Sequence, residues 1–222
     1  MSETILVTGA SAGFGQAICR RLVADGYRVI GSARRIDKLQ ALQEELGEAF
    51  YPLQMDVTDL SQVDHALASL PKAWEKVDVL VNNAGLALGL APAYEAEVAD
   101  WLTMIQTNIV GLTYLTRKIL PQMVERNDGY IINLGSTAGT VPYPGANVYG
   151  ASKAFVKQFS LNLRADLAGK KIRVSNIEPG LCEGTEFSSV RFKGDEERVE
   201  ALYRDAHAIQ PEDIANTVSW LI

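Results

Sequence analysis

The segment Thr8-Gly9-Ala10-Ser11-Ala12-Gly13-Phe14-Gly15 decides the fold, because it lies directly between a predicted strand and a predicted helix. The apolar run Ile5-Leu6-Val7 precedes it, and the pattern from Gln16 to Val23 that follows it favours a helix. Glycines let the backbone turn tightly here and bring N–H groups up to a phosphate, which the positive helix end attracts. An isolated glycine-rich turn is purely structural about half the time. Here a predicted strand precedes the turn and a predicted helix follows it, which favours a nucleotide site. The predicted contacts are Gly9, Ser11, Gly13, Phe14 and Gly15.

Strands and helices continue to alternate along the rest of the chain. Further apolar runs lie at residues 28–30, 50–53, 77–81, 130–134 and 172–177, and segments of helical pattern separate them. Strands that are apolar on both faces and are joined through helices are typical of a parallel sheet covered on both sides. The pattern predicts an α/β fold, a single doubly wound Rossmann domain over residues 1–222 with helices on both faces of the sheet. A last helix is expected to begin at Pro211.

Composition narrows the classes of function. The chain has 222 residues, 47% of them hydrophobic and 22% charged, and a formal net charge of −6. This charge argues against nucleic acid as the main partner, and no apolar run is long enough for a membrane helix. Cys19 and Cys182 are the only cysteines and lie in no metal-binding motif, so we expect no metal. Without a signal sequence at the N-terminus, a reduced, cytoplasmic protein is the simplest interpretation.

Further motifs follow the predicted strands in a fixed order. Asp56-Val57 follows the third strand, Asn82-Asn83-Ala84-Gly85 the fourth and Pro179-Gly180 the sixth, while the first turn has the spacing GxxxGxG. With Asn108, Ser136, Tyr149 and Lys153 at the expected intervals, the chain resembles the short-chain dehydrogenase/reductase family from residue 4 to 222.

The resemblance implies a set of cofactor contacts beyond the first turn. They are Asp56, Val57, Asn83, Ala84, Gly85, Tyr149, Lys153, Pro179, Gly180 and Thr185. The Asn82-Asn83 pair can also form a self-capping turn, and the two roles are compatible.

The end of the second predicted strand indicates which dinucleotide binds. An NAD site places a carboxylate there for the ribose hydroxyls, whereas arginine suits the 2′-phosphate of NADP. Ala33 stands at the family's acidic position, and Arg34 and Arg35 follow it. A solvated arginine pair at a helix start is the ordinary alternative, but the position favours NADP(H). Ser11 is expected to reach the same phosphate.

The resemblance also implies a catalytic tetrad of Asn108, Ser136, Tyr149 and Lys153. Tyr149 and Lys153 are four residues apart, so on a helix they share a face. A free phenol has a pKa of about 10, and we expect the ammonium and the positive nicotinamide ring to lower it. Tyr149 would then take the alcohol proton in oxidation and return it in reduction. In the family pattern, Ser136 holds the substrate oxygen, Lys153 the nicotinamide ribose and Asn108 a water.

Residues around the expected substrate site indicate the branch of the family better than the catalytic tetrad does. Segments 80–89, 135–139 with Tyr143, and 184–192 resemble the NADP-dependent 3-hydroxy acid dehydrogenase branch, which includes serine or L-allo-threonine dehydrogenases and malonic semialdehyde reductases. This implies oxidation of the 3-hydroxyl of L-serine, L-allo-threonine or 3-hydroxypropionate, or reduction of the matching semialdehyde. A broad NADPH carbonyl (ketone) reductase is the alternative substrate class. An NADP-binding regulatory protein is the alternative outside enzymes, and such proteins commonly lose the tyrosine or lysine.

Leu181 to about Asp195 is expected to form a loop-like, mobile lid over the substrate. A hydroxy acid needs a cationic partner for its carboxylate, and Arg191 and Lys193 are the lid's only cations. Arg191 is our candidate for substrate binding, and a solvated lid arginine is an interpretation of nearly equal weight.

The resemblance carries two expectations about assembly and the C-terminus. Phe155, Phe159 and Leu163 form an apolar stripe on the helix of Tyr149. This stripe either belongs to the core or packs across a two-fold axis, as in the family, to give a homodimer or homotetramer. The family's final strand and C-terminal tail are absent from the sequence, which ends within the helix begun by Pro211.

Overall fold

A computed structural model describes residues 3–204 and 206–222, so residues 1, 2 and 205 of the predicted domain lie outside the described part. Six parallel strands form one sheet in it: β1 (Thr4–Thr8), β2 (Arg28–Ala33), β3 (Phe50–Gln54), β4 (Val79–Asn82), β5 (Gly129–Leu134) and β6 (Ile172–Ile177). Their order is β3-β2-β1-β4-β5-β6. The strand order reverses between β1 and β4, which confirms the predicted doubly wound Rossmann sheet.

The helices connect the strands and cover the sheet. They are α1 (Gly13–Ala24), α2 (Ile36–Leu46), α3 (Leu60–Ala68), α4 (Val98–Ile105), α5 (Leu112–Arg126), α6 (Asn147–Asp166), α7 (Phe187–Arg191), α8 (Glu196–Tyr203) and α9 (Pro211–Leu221). A π-helical turn, Gln106–Gly111, joins α4 to α5. Among the described residues, no helix combines the length and apolar character needed to cross a membrane.

Two apolar layers hold the helices to the sheet. On one face, Ile18 of α1, Leu39 of α2 and Val218 of α9 pack on the strands. On the other face, Val63 of α3 and Leu115 of α5 do so. β1 and β4 are buried along their whole length between these layers, which is why each of them contains an apolar run in the sequence. The prediction of helices on both faces is confirmed.

The last helix begins where the sequence predicts. Pro211 opens α9, and the backbone N–H of Gln210 donates a hydrogen bond of 2.8 Å to the Asp213 carboxylate. Proline costs nothing at this position because the first N–H groups of a helix have no partner within it. α9 packs against α1, so the C-terminal segment supports the helix that begins at the glycine-rich turn.

The predicted lid differs from the sequence expectation in one respect. Its middle is not a loop, because α7 lies within it. Ser188 and Arg191 are three residues apart and both are buried, so this short helix turns one polar face inward. Polar residues on an inward face escape a search for apolar periodicity, which explains why the segment reads as a loop.

The stripe on α6 divides between core and surface. Leu163 is buried in the apolar layer on that face, and Phe159 packs against the layer. Phe155 is exposed and stacks on Phe159, with 5.8 Å between the ring centroids. The core interpretation is therefore correct for Leu163, whereas Phe159 is partly buried and Phe155 is exposed.

Candidate active site

A cleft of about 690 Å³ lies at the carboxyl ends of the strands. This is where ligands bind in open α/β sheets, because the loops diverge at the point of strand reversal. Every predicted site residue lines it except Gly15 and Asn108. One cavity therefore brings together residues that are spread from Gly9 to Arg191 in the sequence.

The glycine-rich turn has the geometry of a phosphate cradle. Gly9 and Gly13 have φ angles of 69° and 51°, in the left-handed region that side chains with a Cβ rarely adopt. A Cβ at Gly15 would overlap the Gly9 carbonyl oxygen, so Gly15 lets α1 approach the turn without itself facing the cleft. α1 begins at Gly13, and its free N–H groups suit a diphosphate.

A hydrogen-bond network fixes the neighbouring Asn83 turn. The Thr8 hydroxyl accepts hydrogen bonds from the backbone N–H groups of Asn83 and Ala84, at 3.0 and 2.9 Å. The Asn83 side chain returns a 2.8 Å hydrogen bond to the Thr8 carbonyl oxygen. These contacts cross from β4 to β1 and stabilise the edge of the cleft, which a self-capping turn would not do. The role of Thr8 escapes sequence reasoning because its partners are 75 or more positions away.

The two arginines differ in their surroundings. Arg34 lines the cleft, and its guanidinium group makes no hydrogen bond with the described part of the chain. Arg35 donates to the Ser11 hydroxyl from Nε and Nη2, at 3.3 and 3.1 Å. It also forms an ion pair with Glu186, at 2.9 Å. Ser11 and Arg35 thus lie next to each other, while their contact with a shared phosphate stays a prediction. Glu186 is an unexpected member of this group.

The predicted catalytic side chains meet at the other end of the cleft. Tyr149 and Lys153 lie on the buried side of α6, and Ser136 begins the turn after β5. The Lys153 ammonium donates a 2.8 Å hydrogen bond to the Leu134 carbonyl oxygen and lies 5.9 Å from the centre of the Tyr149 ring. The shared face of α6 therefore places the Tyr149 phenol, which can give or take a proton, next to the Lys153 ammonium.

Burial dominates the proton equilibria of this pair. It raises the pKa of Tyr149 above its usual value, against the opposing effects of Ser136 and Arg191. Burial also lowers the pKa of Lys153 to about 8. Without the cofactor the pKa of Tyr149 is therefore raised, because desolvation outweighs the opposing effects of Ser136 and Arg191. The lowering expected from the ammonium together with the nicotinamide ring stays a prediction.

Asn108 lies behind the catalytic pair, in the π-helical turn. Its side-chain oxygen accepts a 2.9 Å hydrogen bond from the Leu86 N–H, and its amide donates to the Leu86 carbonyl oxygen at 2.9 Å. The amide also donates to Ser152, whose hydroxyl bonds the Tyr149 carbonyl oxygen. Asn108 thus ties the segment after β4 to α6, while its role as a water anchor stays a prediction.

Arg191 is not a solvated arginine. It is 9% exposed, and its Nη2 is buried without a hydrogen-bond partner among the described residues. Its Nε donates to the Gly89 carbonyl oxygen at 3.2 Å, and its guanidinium carbon lies 5.6 Å from the centre of the Tyr149 ring. A buried N–H without a partner is costly, so the site favours an anionic ligand. Lys193, by contrast, is exposed and paired with Asp100 at 2.8 Å.

Comparison with known proteins identifies the architecture. Residues 3–196 match the family model described as short chain dehydrogenase. This chain belongs to the short-chain dehydrogenase family. It is 62% identical to the "Probable NADP-dependent dehydrogenase" of Haemophilus influenzae, over 99% of this chain and 87% of that protein. It is 59% identical to "NADP-dependent 3-hydroxy acid dehydrogenase YdfG" of Salmonella typhi, over 98% of this chain and 88% of that protein.

A solved structure has the same fold over nearly the whole described chain. "The Closed form of serine dehydrogenase complexed with NADP+" is 57% identical and has a TM-score of 0.96, covering 98% of this chain and 88% of that one. The predicted family and fold class are confirmed.

One contact in this family member has no signal in the sequence. The Tyr203 hydroxyl of α8 donates a 2.7 Å hydrogen bond to the Cys182 carbonyl oxygen, and it lies 2.6 Å from the Ser188 hydroxyl. Tyr203 therefore joins α7 to the segment that follows β6. Nothing in the pattern of α8 marks this tyrosine, because the pairing depends on how the lid folds back.

Proposed function

We propose that this chain is an NADP(H)-dependent oxidoreductase for the 3-hydroxyl group of small 3-hydroxy acids. L-Serine, L-allo-threonine and 3-hydroxypropionate are the candidate substrates, or the matching semialdehyde in reduction. The buried Arg191 guanidinium beside Tyr149 carries the proposal, since it sets a cation for a carboxylate next to a group that can transfer the hydroxyl proton. The two relatives named for 3-hydroxy acids and serine support this substrate class.

The cleft fits NADP(H), which supplies a hydride acceptor or donor when bound. In our proposal Arg34, Arg35 and Ser11 hold the 2′-phosphate, while the glycine-rich turn and the start of α1 hold the diphosphate. Asp56 and Val57 border the adenine. The remaining predicted contacts, towards the nicotinamide, are Asn83, Ala84, Gly85, Tyr149, Lys153, Pro179, Gly180 and Thr185. The left-handed glycines support this arrangement, as does the Arg34 guanidinium, which has no hydrogen-bond partner among the described residues.

Tyr149 is the proposed proton donor and acceptor. In oxidation its phenolate takes the proton of the substrate hydroxyl, and in reduction its phenol returns that proton to the carbonyl oxygen. The Ser136 hydroxyl holds the same substrate oxygen. The Lys153 ammonium, fixed by the Leu134 carbonyl oxygen, favours the phenolate when it forms.

Oxidation is expected to accelerate as the pH rises. The pKa of Tyr149 is raised, so the group is protonated at neutral pH and the active phenolate is the minor form. The value of kcat/KM for L-serine should rise by about tenfold per pH unit where the phenol is protonated. Initial rates measured from pH 6 to pH 9 check this, and a flat profile would contradict the assignment of Tyr149 as the base.

Removing the Arg191 guanidinium is expected to weaken substrate binding. A charge-assisted hydrogen bond to a buried carboxylate contributes about 2–3 kcal/mol, so Arg191→Ala should raise the KM for L-serine by about 30-fold or more. Lys193→Ala is the matched control, because that lid cation pairs with Asp100 on the surface and should change the KM less than about twofold. An unchanged KM in Arg191→Ala would refute the role of Arg191.

Broad carbonyl reduction is the second candidate for the same site. Apolar side chains of the lid and its surroundings line the substrate end of the cleft, which favours it: Leu90, Phe187, Val190, Phe192 and Leu202. A carbonyl reductase would turn over apolar ketones, and Arg191→Ala would leave that activity intact. The presence of both Tyr149 and Lys153 disfavours a regulatory protein that only binds NADP(H).

Homotetrameric or homodimeric assembly and a cytoplasmic location complete the proposal. They rest on the family resemblance, and the exposed Phe155 on α6 agrees with contacts between subunits. Light scattering coupled to size-exclusion chromatography measures the assembly directly.

A further inference from the structure

The contacts of Arg35 leave little room for a phosphate. Its Nη1 and Nη2 donate to the two carboxylate oxygens of Glu186, at 3.3 and 2.9 Å. Its Nε and Nη2 donate to Ser11. Every nitrogen of this guanidinium group is therefore bonded to the protein. The ion pair is partly exposed, with 43% of the Arg35 and 56% of the Glu186 side-chain surface accessible, so Glu186 can swing into solvent.

A phosphate and a carboxylate compete for such a group. Both anions bind arginine through two parallel N–H groups on one edge of the guanidinium plane. Glu186 occupies the Nη1–Nη2 edge of Arg35, which is one of the edges that can bind an anion in this way, and its negative charge repels a phosphate at short range. Ser11 contacts Arg35 from another side and can keep the arginine in place when Glu186 leaves.

We propose that Glu186 is a specificity-determining residue that competes with the cofactor's 2′-phosphate for Arg35. The inference rests on the proposed role of Arg35 in binding that phosphate. NADP(H) displaces the Glu186 carboxylate, whereas NAD(H) does not need to. The carboxylate beside the ribose can even accept hydrogen bonds from the free hydroxyls of NAD(H), as acidic residues do in NAD sites. Glu186 therefore reduces the difference in affinity by which the site prefers NADP(H) to NAD(H).

The same contact links the cofactor phosphate to the lid. Glu186 directly precedes α7, so its release from Arg35 removes the ion pair that joins the N-terminal end of that helix to the end of β2. The other end is held independently: the Gly89 N–H donates a 2.9 Å hydrogen bond to the Arg191 carbonyl oxygen, and Lys193 pairs with Asp100. Exchange at Arg35 thus loosens one end of α7 and leaves Arg191 in place.

Adenosine 2′,5′-bisphosphate tests the competition without any substrate, with 5′-AMP as the probe that lacks the 2′-phosphate. Isothermal titration calorimetry of Glu186→Gln should show about fivefold tighter binding of the bisphosphate, which corresponds to an exposed ion pair of about 1 kcal/mol. Binding of 5′-AMP should change less than about twofold. Glu183→Gln is the matched control, because Glu183 is a nearby acid of the lid that contacts Gln210 instead of Arg35.

Three results would overturn the inference. If Glu186→Gln binds the bisphosphate no more tightly than the unsubstituted chain, Glu186 does not compete with the 2′-phosphate. If Glu183→Gln gains as much affinity for the bisphosphate, the effect comes from the loss of one negative charge and not from the contact with Arg35. Arg35→Ala tests the role of Arg35 separately from that of Glu186. If this variant still prefers the bisphosphate to 5′-AMP, Arg35 does not bind the 2′-phosphate and the inference about Glu186 fails as well. If Arg35→Ala abolishes that preference while Glu186→Gln changes nothing, only the role of Glu186 fails.

Discussion

Replacing Tyr149 by phenylalanine is expected to lower kcat/KM for L-serine by about 10³-fold or more, because the phenol transfers the proton in both directions. The substitution removes a single oxygen from a buried ring that packs 5.8 Å from the Phe187 ring, so the cleft should keep its shape. The initial rate of NADP⁺ reduction measures the loss. Fluorescence titration with NADPH should show binding within about twofold of the unsubstituted chain, as the loss lies in proton transfer.

Tyr143→Phe is the matched control for this prediction. Tyr143 lines the same cleft, and its ring centre lies 5.4 Å from the guanidinium carbon of Arg191, but it has no assigned part in proton transfer. We expect its activity to stay within about threefold of the unsubstituted chain. Retention of more than about a tenth of the activity in Tyr149→Phe would show that another group moves the proton.

Removing both arginines at the end of β2 is expected to abolish the preference for NADP⁺. The variant Arg34→Ala with Arg35→Ala loses charge-assisted hydrogen bonds to the 2′-phosphate, each of about 1.5–3 kcal/mol, so the Kd of NADP⁺ should rise by about 100-fold or more. The Kd of NAD⁺, which has no such phosphate, should change by less than about threefold. Calorimetry with both cofactors gives the two constants.

Arg20→Ala controls for the loss of positive charge in this experiment. Arg20 lies on α1 and pairs with Glu45 of α2 outside the cleft, so its removal should affect both cofactors little. Equal weakening of NADP⁺ and NAD⁺ in the double variant would mean that the arginines support the fold of the cleft and do not read the 2′-phosphate.

The fold was accessible from the sequence because each strand carries its own signal. β1 is buried along its whole length, so it appears as an apolar run, and the glycine-rich turn directly after it marks the carboxyl edge of the sheet. The order of later motifs then places Asn83, Ser136 and Pro179 at the same edge. Local pattern suffices here, since a parallel sheet brings the ends of its strands together.

The contacts between the lid and the loops at the sheet edge could not be predicted from the sequence in the same way. The Arg35–Glu186 pair joins residues 151 positions apart, and Arg191 meets Gly89 across 102 positions. The sequence shows that Arg191 is a cation in the lid, but its burial depends on α7 turning inward. The raised pKa of Tyr149 likewise follows from how deeply α6 packs, which the residue types do not reveal.

The most direct test of the function compares each hydroxy acid with its carboxylate-free counterpart. Initial rates of NADP⁺ reduction would be measured with L-serine against 2-aminoethanol, and with 3-hydroxypropionate against 1-propanol. We predict turnover of the acids, with kcat/KM about 30-fold or more above the carboxylate-free alcohols, as expected for a buried Arg191–carboxylate contact. Equal rates for acids and alcohols, or no turnover of any acid while NADP⁺ binds, would contradict the assignment as a 3-hydroxy acid dehydrogenase.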